Sequence, residues 1–367
     1  MNNLFKYLYH KYLDRPNCWY PFLSVYYLTY RCNFRCPYCS NGFNKPYYAL
    51  SPEIVPGEKV LDILKLIRKH CDYLVITGGE PLLHPDFAYV MEHLPKLKFK
   101  QVALTTNGFE LDRFLPQMTG AVHTLIVSLD TLEETKADAW YGHSNIVVGA
   151  TGSGEPNNFM ALPRSPLQKI LANIDLAAKT IPRKSRILIS SVATPENIGD
   201  LYEVYDYCRR RSFTFAACPV LMGVKPPDEL KTSSAYRAFF DFLIQEKRKG
   251  ADIFGSSLYL SYMRDFKKFN CRPFTMLVVD PLGNIFYPCL ELGQMSGNIL
   301  QSNDLHSHRQ QAQALFGPQP PCDARCHSAC ALGFSLILEQ PHSLIRETFM
   351  QFREMICKRL TGTKGPK

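Results

Sequence analysis

No stretch of the chain reaches about eighteen consecutive apolar residues, which excludes a membrane-spanning helix of ordinary length. The opening residues, MNNLFKYLYHKYLDRP, lack both the apolar core and the small-residue cleavage site of a secretory signal, so the expected compartment is the cytoplasm. A dominant basic block is also missing: 42 Lys and Arg against 33 Asp and Glu give a formal charge of +9, but the cations are spread along the chain. Charge spread in this way gives little reason to expect nucleic acid as a partner. Only 20% of the 367 residues are charged and 46% are apolar, a globular balance that removes the disordered and fibrous classes. Residues 1–14 carry basic and aromatic side chains that read either as a helix packed on the domain or as one lying weakly on a membrane surface.

Cysteine is not scarce. Thirteen thiols in a reducing compartment point to metal binding or chemistry rather than to disulfides. Cys32, Cys36 and Cys39 form one cluster, inside YRCNFRCPYCSNGF, and Cys322, Cys326 and Cys330 form another. Cys271 and Cys289 stand nearer the second cluster, while Cys18, Cys71, Cys208, Cys218 and Cys357 stand alone, as small buried apolar residues often do. The first cluster has no fourth thiol beside it. A structural zinc site normally takes four protein ligands, whereas a four-iron cluster held by three cysteines keeps one iron open. Spacing alone leaves zinc, iron-sulfur and coincidence standing.

From Leu23 to about Val220, short β-branched or aromatic runs alternate with helical patterns. LSVYYLTY, YLVIT, QVALTT, HTLIVSLD, RILISSV and FTFAACPV read as strands; GEKVLDILKLIRKHC, LQKILANIDLAAKT and IGDLYEVYDYCRRR have the 3.6-residue apolar rhythm of helices. Six such repeats predict a parallel α/β sheet, closed or partly closed into a barrel, with its site in the loops after the strands. That rule brings four segments to one mouth: the cysteine cluster after the first strand, TGGEP after the second, TTNG after the third and SLD at the end of the fourth. The segment 141–166 is long and rich in Gly, Ser, Asn and Pro, reading as a lid or as a surface insertion. A helix is expected around Ser233 to Lys249, and TMLVVDPLGNIFYPC reads as two strands joined by a turn.

Cys32, Cys36, Tyr38 and Cys39 follow the pattern C-x3-C-x-aromatic-C. With Gly78, Gly79, Glu80 and Pro81 after the second strand, the stretch from Leu23 to Val220 resembles the radical S-adenosylmethionine (SAM) superfamily. The resemblance implies a partial (β/α)6 TIM-like barrel over 23–225, preceded by an amphipathic segment at 1–22. It further implies an enzyme with a [4Fe–4S] cluster on Cys32, Cys36 and Cys39, whose open iron binds SAM, and a flavodoxin- or ferredoxin-type reductant. Tyr38 is then expected beside the adenine, Gly78, Gly79 and Glu80 at the methionine amino group, and Ser128 and Asp130 at the ribose or carboxylate. A glycine pair also lets a ligand approach the backbone closely. The plain alternatives are a turn for GGEP and TNG, and capping of the next helix for Ser128 and Asp130.

Near the C-terminus, CRPFTMLVVDPLGNIFYPC followed by GNI resembles the SPASM extension or its shortened twitch form. A connecting helical region at 226–270 would lead to this small β-hairpin plus helix iron-sulfur domain at 271–367. Five thiols, Cys271, Cys289, Cys322, Cys326 and Cys330, suggest a second, auxiliary [4Fe–4S] cluster with four ligands and one spare, zinc being the rival. The i, i+4, i+8 spacing of the last three would place them on one face if helical. Four cysteine ligands favour electron transfer, hence a net oxidation of a small-molecule substrate such as a dehydrogenation, hydroxylation or cross-link. A hydrophobic substrate, tetrapyrrole or isoprenoid, is compatible with 23 Phe and 20 Tyr. A SPASM-type peptide or protein maturase is the alternative, and a metal-stabilised nucleic-acid-binding protein the remote one. Tyr259, Tyr262 and Asp265 are positional candidates for the substrate side.

Overall fold

The computed structural model describes residues 6, 8–13, 18–39, 46–50, 54–141, 165–182, 185–317, 322 and 326–340. The expected lid at 141–166 and the chain beyond residue 340 thus lie almost wholly outside the described residues. Six parallel strands form the body of the molecule: β1 (Leu23–Thr29), β2 (Tyr73–Gly78), β3 (Gln101–Thr106), β4 (Thr124–Ser128), β5 (Arg186–Ala193) and β6 (Thr214–Pro219). Each pairs in register with its neighbour in chain order. Both faces of these strands are covered, as parallel sheets require. Along β5, Ile187, Ile189 and Ala193 are buried toward the outer helices, while Leu188 and Ser190 face the barrel lumen.

The connecting helices form where the apolar rhythm predicts them. Gly57–His70 buries Val60, Leu61, Ile63, Leu64 and Ile67, starts after Pro56 and carries Arg68 and Lys69 in its last turn, cations that suit a helix C-terminus. Pro166–Thr180 begins with Ser165 Oγ accepting the Gln168 N–H at 3.4 Å and with proline in its first turn. Ile198–Arg211 and Ser234–Arg248 match their expected bounds to within a residue.

The C-terminal hairpin joins the same sheet. β7 (Met276–Val279) pairs parallel with β1, Leu23 opposite Met276, and β8 (Asn284–Phe286) and β9 (Met295–Asn298) continue antiparallel beyond it. The strand order is therefore β6-β5-β4-β3-β2-β1-β7-β8-β9. Asp280 shapes the turn, its Oδ1 accepting the N–H groups of Leu282 and Asn284 at 2.9 and 2.8 Å, with Gly283 at φ +90°. The Ala329–Glu339 helix then packs across the open side of the barrel: Phe334 stacks on Phe22 at 6.2 Å, and Ser335 Oγ accepts the Arg272 N–H at 2.9 Å.

The described part of the N-terminal segment docks on the barrel. Lys6, 3% exposed, donates to the carbonyls of Pro21 and His70 at 2.6 and 2.8 Å. Tyr12 and Leu13 nearby stay exposed. Among the described residues, no helix is long and apolar enough to cross a membrane.

Candidate active site

The mouth of the barrel is built by close backbone approach. After β2, the Gly79 N–H donates to Thr29 O at 2.8 Å and the Glu80 N–H to Arg31 O at 2.6 Å, so the end of β2 grips the three residues before Cys32. A Cβ on Gly78, at φ +144°, would sit 2.2 Å from Thr29 O, and one on Gly79 would sit 2.4 Å from Arg31 O. The glycine pair is thus required by the cysteine loop itself. Gly78→Ala adds backbone strain to a collision with main chain, and we expect it to cost about 3 kcal/mol or more in denaturant unfolding. Gly199→Ala, on a helix with nothing within 4 Å of the added Cβ, should instead gain up to about 1 kcal/mol.

Glu80 is fully buried. Its carboxylate accepts from the Leu82 N–H at 3.0 Å, Thr106 Oγ1 at 2.8 Å and the Asn107 N–H at 2.6 Å. Burial pushes its carboxyl up to about 7, against the pull of these donors. Asn107 Nδ2 donates in turn to Asn33 Oδ1 at 2.8 Å. Glu80 is therefore engaged with protein groups, bracing β2, β3 and the cysteine loop together.

In that loop the Cys39 N–H donates to Cys36 O at 3.0 Å, closing a turn over Pro37 and Tyr38. Phe34 anchors the loop below, stacked on Tyr141 at 5.0 Å. Backbone N–H groups are aimed at sulfur, Phe34 at Cys32 Sγ (3.4 Å) and Tyr47 at Cys39. The three thiols feel one another's charge, and burial raises all of them, Cys32 to about 12. Buried thiols of this kind need a cation to become thiolates, and amide donors favour the thiolate once formed. The loop therefore fits a metal cluster.

Tyr38 donates its hydroxyl to Asp130 Oδ2 and stands edge-on to Trp140 at 5.3 Å. Asp130, 3% exposed, accepts the Val192 N–H on Oδ1 at 2.6 Å, and burial pushes its carboxyl up to about 6. It therefore joins the cysteine loop to β5. Ser128 pairs in register with Ser190, whose side chain lines the lumen, so Ser128 lies on the lumen-facing side of β4.

Four of the five C-terminal thiols come together. Cys271 feels the charge of Cys289, Cys322 and Cys326, and burial together with these neighbours holds Cys289 up near 11 and Cys326 near 12. Amides of Glu291 and Leu292 are directed at Cys289, and that of Ser328 at Cys326. Cys330 is different: it lies in the first turn of the Ala329–Glu339 helix and faces the lumen, where Cys218 and Tyr259 also lie. Among the described residues no three His, Cys, Asp or Glu side chains converge as ligands of one ion.

Below the mouth, the lumen holds a cavity of about 560 Å³ that runs from Leu23 at the start of β1 to Cys218 near the end of β6. Cys218, expected to be an ordinary buried residue, lines this cavity, and the alternation along β6, which turns Ala216 and Cys218 to one side, is the sequence signal for it. Tyr259 reaches this cavity, whereas Asp265 is held in ion pairs with Arg264 and Lys267 at 2.8 and 3.3 Å.

A strand-barrel with a three-thiol loop at the C-terminal end of its first strand defines a class, and the Radical SAM superfamily profile matches residues 26–208. The chain belongs to the radical SAM superfamily, whose cofactors are a [4Fe–4S] cluster and SAM. Among curated relatives, it is 39% identical over 114 residues to the molybdenum cofactor biosynthesis protein moc-5 of Caenorhabditis elegans, covering 30% of this chain and 18% of that one. It is 30% identical over 185 residues to the GTP 3′,8-cyclase of Synechocystis sp., covering 50% of this chain and 49% of that one. The chain thus spans half or less of the length of these two relatives. A similar solved fold is Streptococcus suis SuiB bound to the precursor peptide SuiA, at 15% identity and a TM-score of 0.57, covering 83% of this chain and 67% of that one.

Proposed function

We propose that this radical enzyme cleaves SAM reductively, the bound cluster and SAM supplying a 5′-deoxyadenosyl radical that takes hydrogen from a small-molecule biosynthetic substrate for net oxidation. The observation that carries this reading is the three-thiol loop, braced by Gly78–Gly79 and Glu80 on one side and by Tyr38–Asp130 on the other. Cys32, Cys36 and Cys39 would hold the first cluster. Tyr38 and Asp130 would orient the cosubstrate beside it, and the barrel walls would keep water and stray hydrogen donors away. Cys271, Cys289, Cys322 and Cys326 would hold an auxiliary cluster, and a cluster with four protein ligands suits electron acceptance, hence oxidation. The described cavity wall has no Lys, Arg or His to meet a triphosphate, which favours an uncharged substrate over the nucleotide named in the GTP 3′,8-cyclase relative. The peptide reading rests on a likeness of fold, which does not carry a substrate.

The test is direct. Anaerobically reconstituted, reduced enzyme should form 5′-deoxyadenosine, and a deuterated substrate should pass its label into that product. A fully loaded, reduced enzyme that leaves SAM intact would overturn the proposal.

A further inference from the structure

An eight-stranded (β/α) barrel fills its interior with layers of Val, Ile and Leu. This six-stranded one intersperses the few it has with small residues and leaves space between them. Its lumen-facing positions include Ala103, Thr105, Thr124, Ser190 and Ala216, all small, and the closing helix presents Gly333 to the same space. The emptiness is therefore encoded in side-chain size. An unfilled apolar cavity costs stability in proportion to its volume, so a protein that keeps 560 Å³ open gains from an occupant. That volume falls within the roughly 300–1,000 Å³ usual for ligand sites.

The wall defines the chemistry. Val75, Ile126, Leu188, Phe254, Phe334 and Ile337 make it apolar, and hydroxyls are its main polar groups. Among the described residues that line it there is no Asp, Glu, Lys, Arg or His. A charged group placed there would lose its hydration with nothing in return. The upper end of the space adjoins the mouth: Cys218 pairs in register with Val192, whose N–H donates to Asp130, which accepts from Tyr38 of the cysteine loop.

We propose that the lumen binds an uncharged hydrocarbon body of the substrate, with the reacting carbon presented upward toward Tyr38 and Asp130. The assignment rests on the reading of the mouth as the site of hydrogen abstraction. Its source, isoprenoid, straight chain or fused ring, is left to the experiment.

The probe is diphenylhexatriene, a neutral hydrocarbon that fluoresces only out of water, titrated into the reconstituted holoenzyme. Wild type should bind it, and farnesol, dodecanol and a neutral steroid should displace it to different extents, the strongest competitor naming the source. GTP should not compete. Gly333→Phe, where an added Cβ has only Tyr259 near it at 3.9 Å, should fill the cavity and weaken the probe by roughly ten-fold or more. Ala216→Leu is a second filler should the first misfold, judged by iron content and a cooperative melt, and Leu176→Phe on the exposed side of an outer helix should bind as wild type does. No probe binding to wild type, equal binding to a folded filler, or displacement by GTP would each overturn the inference. SAM cleavage is read separately: cleavage without probe binding removes this inference alone, and probe binding without cleavage removes the radical reading together with the orientation of the reacting carbon, leaving only a hydrocarbon site in the lumen.

Discussion

Cys36→Ala is expected to bind about four irons per chain where the wild type binds about eight, and to form no 5′-deoxyadenosine above background. The reason lies in how the loop is held. Its three sulfurs come from one short turn, closed by the Cys39 N–H to Cys36 O bond and fixed below by Phe34. Asp130, the carboxylate whose charge reaches Cys36, is committed to Tyr38 and Val192. Removing one thiol leaves two, and the metal-binding free energy that organises such a site goes with it. Cys208→Ala serves as the control, because Cys208 is 1% exposed in the Ile198–Arg211 helix, away from either thiol set. It should keep about eight irons and lose only about 1 kcal/mol of packing. Cleavage by Cys36→Ala at the wild-type rate would refute the assignment of the loop.

Much of this was legible in the residues, and the exceptions share a cause. The six barrel strands and their helices follow local periodicity, which a single chain displays openly. β9 was invisible because MSGN carries no alternation; its pairing with β8 is what makes it a strand. The glycines after β2 signalled a close approach, but what approaches is the backbone of Thr29 to Arg31, some fifty residues earlier. Glu80 read as a ligand for an amine; its three donors include Thr106 at the end of the next strand and Asn107 just after it, which only the folded sheet brings near. Tyr38 and Asp130 were each expected at the mouth, yet their hydrogen bond across 92 positions could not be read from either. The lumen was hidden for a related reason: small residues at alternate strand positions look like weak strand formers until the sheet curves and they face one another across a space.

The second large effect separates Cys326 from Cys330. The i, i+4, i+8 spacing implied one helical face, but the helix starts only at Ala329, so Cys322 and Cys326 precede it and Cys330 falls within it. The two sides of that boundary have different surroundings. Cys326 has Cys271, Cys289 and Cys322 around it and an amide from Ser328 directed at its sulfur; Cys330 is raised toward 11 by burial alone and lines the apolar lumen. Amide donors stabilise a thiolate, whereas an apolar wall disfavours one. Cys326→Ala should therefore lose the auxiliary cluster, leaving about four irons per chain, while Cys330→Ala should keep about eight. Iron and zinc are counted together by elemental analysis, so a zinc site at the quartet would appear as about one zinc removed by Cys326→Ala with iron unchanged. Loss of iron in Cys330→Ala, with iron retained in Cys326→Ala, would reverse the ligand assignment. Because both changes delete the same single sulfur from neighbouring positions, a difference of about four irons between them cannot come from thiol number or general destabilisation; it reports which sulfur faces the cluster and which faces the lumen.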